Sequence, residues 1–250
     1  MSDRKAVLIT GASRGIGRAT ALLACAYDWS VGVNYVREEV AARDVVEEIA
    51  RAGGKAVALQ GDVADEDDVV AMFEGATRAL GPLSGVVVNA GVVAPAARLA
   101  DMSVERMRRV FEVNILGAYL TAREAARRMS KSLGGAGGSI VFVSSALTRI
   151  GGPGVFVDYA GSKGAIDTLT LGLAKELASE EVRVNAVRPG IIDTEIHAAV
   201  GEPDRAFRIG ATAPLGRPGT AGEVAEAIVW LLSDAASYVT GALLDVAGGR

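Results

Sequence analysis

The chain has 250 residues, of which 50% are hydrophobic and 22% charged, with a net charge of -4 and an isoelectric point near 5.2. That length suits one large α/β domain with a substantial core, and the acidic balance, without a basic stripe, excludes nucleic acid as the expected partner. Cys25 is the only cysteine, which excludes an intramolecular disulfide and a cysteine-built zinc cluster.

Strand-like and helix-like stretches alternate along the whole chain. Residues 1–5 are polar and carry no apolar signal core, and no run of about 18 apolar residues occurs, so no membrane span and a cytoplasmic location are expected. Residues 6–10 predict a strand that stops at Gly11, followed by a helix over 17–27 with Cys25 as a buried structural thiol. A second strand is predicted over 31–35. A helix over 38–52 follows, with Ala41, Val45 and Ile49 at helical spacing, and Gly53 and Gly54 end it. A strand at 57–59, a helix over 65–80 stopped by Gly81 and Pro82, and an apolar strand at 86–88 come next. Ser103 is placed to cap one long helix reaching towards residue 132. The glycine-rich 134–138 stretch reads as a loop, because a strand at 140–143 follows at once. The remaining elements are a helix over 158–178, a strand at 183–187, an apolar helix over 221–232 and a last strand at 242–246. Seven strands separated by helices predict a doubly wound parallel α/β sheet in a single domain, 1–250, with ligands beyond the carboxyl ends of the strands.

The first strand runs into Thr10-Gly11-Ala12-Ser13-Arg14-Gly15-Ile16-Gly17. Glycines there let the backbone turn tightly and approach a pyrophosphate seated on the next helix's N-terminus. The spacing is Gly-x-x-x-Gly-x-Gly, and a plain β–α turn is the competing reading. Without a Gly-Lys-Ser/Thr ending, a P-loop is disfavoured. Asp62-Val63 follows the third strand, where a carboxylate can accept from an adenine amino group or cap the next helix. Asn89-Ala90-Gly91 follows the fourth, with small residues that would admit a ribose.

Tyr159 and Lys163 lie four residues apart and share one helix face. A phenol titrates near pH 10, and a nearby ammonium is expected to lower that value, making the pair an acid/base device for a carbonyl oxygen. A solvated helix face is the competing reading. Ser144-Ser145 ends the preceding strand, where a serine hydroxyl is placed to hold the substrate oxygen.

Taken together, Thr10-Gly11 to Gly17, Asp62, Asn89-Ala90-Gly91, Asn114, Ser145, Tyr159, Lys163, Pro189-Gly190 and Thr194 resemble the short-chain dehydrogenase/reductase family over essentially the whole chain. The resemblance implies a Rossmann-type fold and a Ser–Tyr–Lys–Asn catalytic group of Ser145, Tyr159, Lys163 and Asn114. Tyr159 would exchange the proton and Ser145 would polarise the carbonyl. Lys163 would bind the nicotinamide ribose and lower the tyrosine pKa, and Asn114 would hold it in a water-linked relay. Gly11, Ser13, Arg14, Gly15, Ile16, Gly17, Asp62, Val63, Asn89, Ala90 and Gly91 would contact the cofactor, as would Pro189, Gly190, Ile192 and Thr194 around its nicotinamide half. Two departures stand out: Val88 replaces the first asparagine of the usual Asn-Asn-Ala-Gly, and thirteen residues separate Ser145 from Tyr159 where the family commonly has twelve. Ser144 is the fallback for Ser145.

The cofactor expected is NADP, with NAD disfavoured, because the second strand ends Val33-Asn34-Tyr35-Val36-Arg37 with no carboxylate before Glu38. Arg14 and Arg37 are placed to converge on a 2′-phosphate, although Glu38 and Glu39 are near enough in sequence to reach a ribose. The leading function is an NADP-dependent reductase or dehydrogenase of a small carbonyl or alcohol. A 3-oxoacyl-carrier-protein reductase, for which Arg127, Arg128 and Lys131 offer a basic patch, and a glucose-type sugar dehydrogenase are alternatives. A nucleotide-binding regulator without catalysis is the reading from another class. His197, the only histidine, is either a substrate contact or part of a mobile surface helix. One histidine is too few for a His-rich metal site. Asp158 and Asp167 read as helix-surface charges, and residues 147–157 and 195–213 as the substrate pocket. A homotetramer is expected, with the 221–232 helix and the 239–246 segment packing across a twofold axis.

Overall fold

In the computed structural model, which describes residues 4–199 and 201–250, the seven predicted strands form one sheet. They are β1 (Ala6–Ile9), β2 (Ser30–Tyr35), β3 (Ala56–Gln60), β4 (Leu83–Val88), β5 (Gly138–Val143), β6 (Val182–Pro189) and, at the edge, the last strand Leu243–Val246. The order is β3-β2-β1-β4-β5-β6 and then the last strand, with every pairing parallel. Chain order therefore reverses at β1, and the crevice between the carboxyl ends of β1 and β4 is the topological switch point. β1 and β2 are buried at every position, as their continuous apolar runs require when both faces are covered. This is a doubly wound, Rossmann-type α/β fold.

Helices α1 (Gly15–Ala26) and α2 (Glu39–Arg51) cover one face together with the late apolar helix Ala221–Leu232. Helix α3 (Glu66–Leu80) covers the other face with the helices that follow β4 and β5. The stretch read as one long helix is instead three joined pieces. Helix α4 (Val104–Phe111) passes through a π turn at Glu112–Leu116 into α5 (Gly117–Met129), and a 3-10 turn follows at Lys131–Leu133. Just after the π turn, Gly117 lies so close to β3's exit that an added Cβ would come within 2.7 Å of Val63. Beyond β5 come α6 (Leu147–Ile150) and α7 (Val157–Glu176).

The segment after β6 holds structure that periodicity did not predict. A short β7 (Ile192–Asp193) pairs in parallel with β8 (Gly219–Thr220), enclosing α8 (Ile196–Ala199) and α9 (Arg205–Gly210). Thr220 then starts α10 (Ala221–Leu232) with a reciprocal capping box to Glu223, and the edge strand is β9. Elements of two to six residues are too short to leave a period in sequence.

Candidate active site

The glycine turn is built from the backbone outward. Gly11 and Gly15 hold left-handed conformations, with φ of +62° and +54°, that other residues adopt only at a cost. Gly17 passes so close to the turn that a Cβ would meet the Gly11 carbonyl oxygen at 2.4 Å. Helix α1 begins at Gly15, and Arg14 before it makes no side-chain cap. The first helical N–H groups therefore remain available to an anion. Ser13 is buried and Arg14 exposed beside this opening.

Three polar side chains lock that turn. Thr10 Oγ accepts from the Asn89 and Ala90 amides, both at 3.0 Å. Asn89 Nδ2 donates to the carbonyls of Thr10 at 2.8 Å and Gly11 at 3.0 Å. The third is Asn34, fully buried at the end of β2 and absent from the residues singled out in sequence. Its Oδ1 accepts from the Gly11 amide at 3.0 Å, and its Nδ2 donates to the carbonyls of Leu59 at 3.2 Å and Gly61 at 3.0 Å. An asparagine inside an otherwise buried strand was the available signal, since buried polar groups need partners.

Asp62 does not cap α3: Asp65 does, accepting from the Asp68 amide. Asp62 instead folds over the exit of β3, accepting from the Ala64 amide at 3.0 Å, with Arg109 3.6 Å away. Val63 is buried beneath it. Arg37, beyond β2, is exposed, and Glu39 is turned towards Arg43 at 2.6 Å.

The catalytic candidates converge at the carboxyl ends of β4 and β5. Ser145 and Tyr159 both line a pocket of about 430 Å³, where the Ser145 hydroxyl accepts from the Leu147 amide at 3.1 Å and acts on the phenol as a neighbouring polar group. Ser144 also borders this pocket, but its hydroxyl is committed to Asp167 Oδ1 at 2.7 Å and the Lys163 carbonyl at 3.2 Å. Lys163 Nζ lies 5.8 Å from the Tyr159 ring centre and donates to the Val143 carbonyl at 2.7 Å. Asn114, in the π turn, clamps Val92 through both its amide and its carbonyl, at 2.8 and 2.9 Å, and donates to Ser162 at 3.0 Å. Gly91 separates it from the lysine, for a Cβ there would lie 3.4 Å from both Asn114 Oδ1 and Lys163 Nζ. Pro189, Gly190, Ile192 and Thr194 line the same pocket. Thr194 faces the glycine turn, its Cγ2 lying 3.5 Å from where a Gly15 Cβ would stand.

Electrostatics here depart from the sequence expectation. Burial pushes the Tyr159 phenol up to about 12, and the neighbouring Ser145 hydroxyl, not Lys163, is what opposes that rise. Burial likewise brings Lys163 down to about 8, against the pull of Asp167. Desolvation of the charged form dominates at both groups.

Asp158 and Asp167 are not surface charges. Asp158 is buried and takes two hydrogen bonds from Arg106, at 2.8 and 3.2 Å. Asp167 is buried between Ser144 and the Arg188 guanidinium, which donates at 2.8 and 3.1 Å. A helix whose two sides both face protein shows no amphipathic stripe, so periodicity could not find these pairs. His197 is also buried, lines the pocket and lies 2.9 Å from the Ile192 carbonyl through Nε2. Arg127, Arg128 and Lys131 each pair with a carboxylate, Glu124 for the first two and Glu181 for the third. Among the described residues no cluster of His, Cys, Asp and Glu is arranged to hold a metal, and no helix is long and apolar enough to cross a membrane.

A family model described as enoyl-(acyl carrier protein) reductase matches residues 11–250. An uncharacterized oxidoreductase of Escherichia coli (strain K12) is 52% identical over 243 residues, covering 97% of this chain and 98% of its own. An L-rhamnose 1-dehydrogenase (NAD(P)(+)) of Sphingomonas sp. (strain SKA58) is 39% identical over 248 residues, covering 99% and 96%. Among solved structures, a short-chain type dehydrogenase/reductase from Mycobacterium marinum superposes with a TM-score of 0.91 at 37% identity, covering 98% of this chain and 94% of that one.

Proposed function

Since this chain belongs to the short-chain dehydrogenase/reductase family, whose members are oxidoreductases of CH–OH and C=O groups, we propose that it is an NADP-dependent enzyme with Tyr159 as its acid/base. The observation that carries this reading is that Ser145 and Tyr159 line the wall of the same pocket, with Lys163 one helical turn from Tyr159.

A phenol titrating at about 12 is protonated at neutral pH and ready to donate. The nicotinamide, when bound, supplies the hydride for reduction or accepts it in oxidation. In reduction, Ser145 Oγ and Tyr159 Oη both hydrogen-bond the carbonyl oxygen, drawing charge towards it as the carbon is reduced. Tyr159 Oη then gives that oxygen its proton, leaving a phenolate. Lys163, titrating at about 8, is the stronger acid and returns a proton to the phenolate. Oxidation of an alcohol runs the same transfers backwards.

The glycine turn fits a pyrophosphate because its helix start carries no side-chain cap. NADP is favoured over NAD by Arg14 and Arg37, both exposed, and by the engagement of Glu39 with Arg43. The apolar wall formed by Leu147, Ile150, Val155 and Phe156 suits a ketone with an apolar body better than a sugar. The pairing of Arg127, Arg128 and Lys131 with carboxylates likewise weakens the carrier-protein alternative. We read residues 1–250 as a single dinucleotide-binding and catalytic domain in a cytoplasmic homotetramer. Two apolar surfaces support that assembly, one with Phe111 and Tyr119 exposed on α4 and α5, the other with Trp230 and Tyr238 exposed on and after α10.

Tyr159→Phe keeps the ring and removes the transferable proton. Turnover of a ketone panel is expected to fall at least about a hundredfold, while cofactor affinity measured by fluorescence titration is kept. Near-native turnover in this variant contradicts the mechanism, and an inactive wild type across the panel favours a binding role.

A further inference from the structure

The pocket has a second polar pole besides Ser145 and Tyr159. Arg205, at the start of α9, lines it and lies over the ring of Phe156, with its guanidinium carbon 4.8 Å from the ring centre. Phe156 immediately precedes α7, three positions before Tyr159. The Arg205 side chain is only 16% exposed, yet among the described residues it donates no side-chain hydrogen bond. Its nearest carboxylate oxygen, on Glu202, stands 3.9 Å away, beyond hydrogen-bond reach. Glu202 is itself engaged by Arg208 through its other oxygen.

A half-buried guanidinium has up to five donors to satisfy, and stacking on a ring satisfies none of them. Burial is the main influence disfavouring its charge; Glu202 opposes it, while Arg208 and Arg250 add to it. Glu202, Arg208 and Arg250 line the pocket beside Arg205, so its one neighbouring carboxylate there is shared among more than one guanidinium. Between the two poles the wall is apolar, formed by Ile150, Val155, Phe156 and Ile209.

Resting on the oxidoreductase reading above, we propose that Arg205 is the carboxylate anchor of this pocket, and that the substrate is a ketone or secondary alcohol whose apolar body carries a carboxylate at the end remote from the reacting carbon. A planar guanidinium donates two parallel hydrogen bonds to a carboxylate, which fixes orientation as well as affinity. The anchor would orient the molecule with its carbonyl towards Ser145 and Tyr159. A charge so placed discriminates strongly against neutral analogues, because without it the guanidinium stays unpaired.

The probes are levulinate and its longer keto-acid homologues, each paired with its methyl ester, with NADPH as reductant. The homologue of fitting length is expected to exceed its ester in kcat/KM by about tenfold to a hundredfold, as for a hydrogen bond to a charged group. In Arg205→Gln that ratio is expected to fall towards one, and in Arg205→Lys to recover in part. Glu202→Gln removes the competing carboxylate and is expected to raise the ratio. If the Arg205 variants do not fold, the Glu202→Gln ratio decides alone, and a ratio unchanged or lowered overturns the anchor. Equal turnover of acids and esters by the wild-type enzyme also overturns it, while leaving the oxidoreductase reading intact. If nothing is turned over, calorimetric binding of the same keto acids to the NADP-loaded protein separates the two ideas. Binding lost in Arg205→Gln supports the anchor although the catalytic reading has failed, and no binding, or binding indifferent to the substitution, overturns it.

Discussion

The two halves of the sheet solve different problems with different chemistry. Around β1, β2 and β4 the glycine turn is held by neutral groups: Thr10, Asn34 and Asn89 bond to backbone amides and carbonyls, and among these three none carries a charge. Around β5, α7 and β6 the supporting groups are buried ions, with Asp167 on Arg188 and Asp158 on Arg106 flanking Lys163 and Tyr159. A cradle for a ligand that brings its own charge needs fixed, unoccupied N–H groups, and neutral braces leave them free. A site that moves protons needs groups whose protonation is tunable, and burial next to ion pairs supplies that tuning. The first half is therefore specified mainly by backbone shape, and the second by electrostatic balance.

Removing one ion on the catalytic side is the largest way to break the contrast. Asp167→Ala leaves Arg188 half-paired and the Ser144 hydroxyl without its closer acceptor, so the stability measured by denaturant unfolding is expected to fall by about 3–5 kcal/mol. On the cofactor side, Arg18→Ala, which breaks the exposed Arg18–Glu48 pair, is expected to cost less than about 1 kcal/mol. Equal losses in the two variants would erase the distinction. Next comes Asn34→Ala, which leaves the Gly11 amide and the Gly61 carbonyl without partners. A loss of about 1–3 kcal/mol is expected, together with weaker cofactor binding and little change in the acid/base pH profile. A variant that bound cofactor as well as the wild type would show that the turn holds its shape without this brace.

A smaller effect tests how the cradle distinguishes its ligands. The Arg14→Ala, Arg37→Ala double variant is expected to lower the kcat/KM ratio of NADPH over NADH by at least about tenfold. A wild-type preference for NADH, or an unmoved ratio, would place the 2′-phosphate contacts elsewhere. The smallest effect is a pH inflection. Lys163 gives up its proton at about pH 8, while Tyr159 keeps its own to about 12, so the rate of reduction is expected to be halved near pH 8, by about twofold at the midpoint. The stability terms follow with opposite signs. Lys163 binds its proton less tightly folded than unfolded, so its burial costs stability below about pH 8, and that cost is relieved as the pH rises towards 10.5. Tyr159 binds its proton more tightly when folded, so its contribution holds below pH 10 and is lost as the pH rises to about 12. A flat rate profile from pH 7 to pH 9 would remove Lys163 from the proton path.

Much of this molecule is legible in the sequence alone. The seven strands, their alternation with helices and the positions of the glycine turn, Tyr159 and Lys163 follow from local pattern, because a buried parallel strand writes a continuous apolar run and a tight turn writes glycine. Their placement at one edge of the sheet follows from parallel winding. Other features were decided only in three dimensions. Asn34 became a brace because β3 passes beside it and supplies two carbonyls. Ser144 was separated from Ser145 because Asp167, twenty-three residues later, accepts the hydroxyl of one and not the other. Asp158 and Asp167 were buried because α7 is enclosed by α4 on one side and by β6 on another, where Arg106 and Arg188 wait. The pKa order of Tyr159 and Lys163 depends on how much water their neighbours exclude, and that depth is a property of packing rather than of spacing. Local sequence determined which groups this protein carries and on which element; tertiary packing decided their partners, because hydrogen bonds and desolvation act across distances in space that the order of residues does not encode.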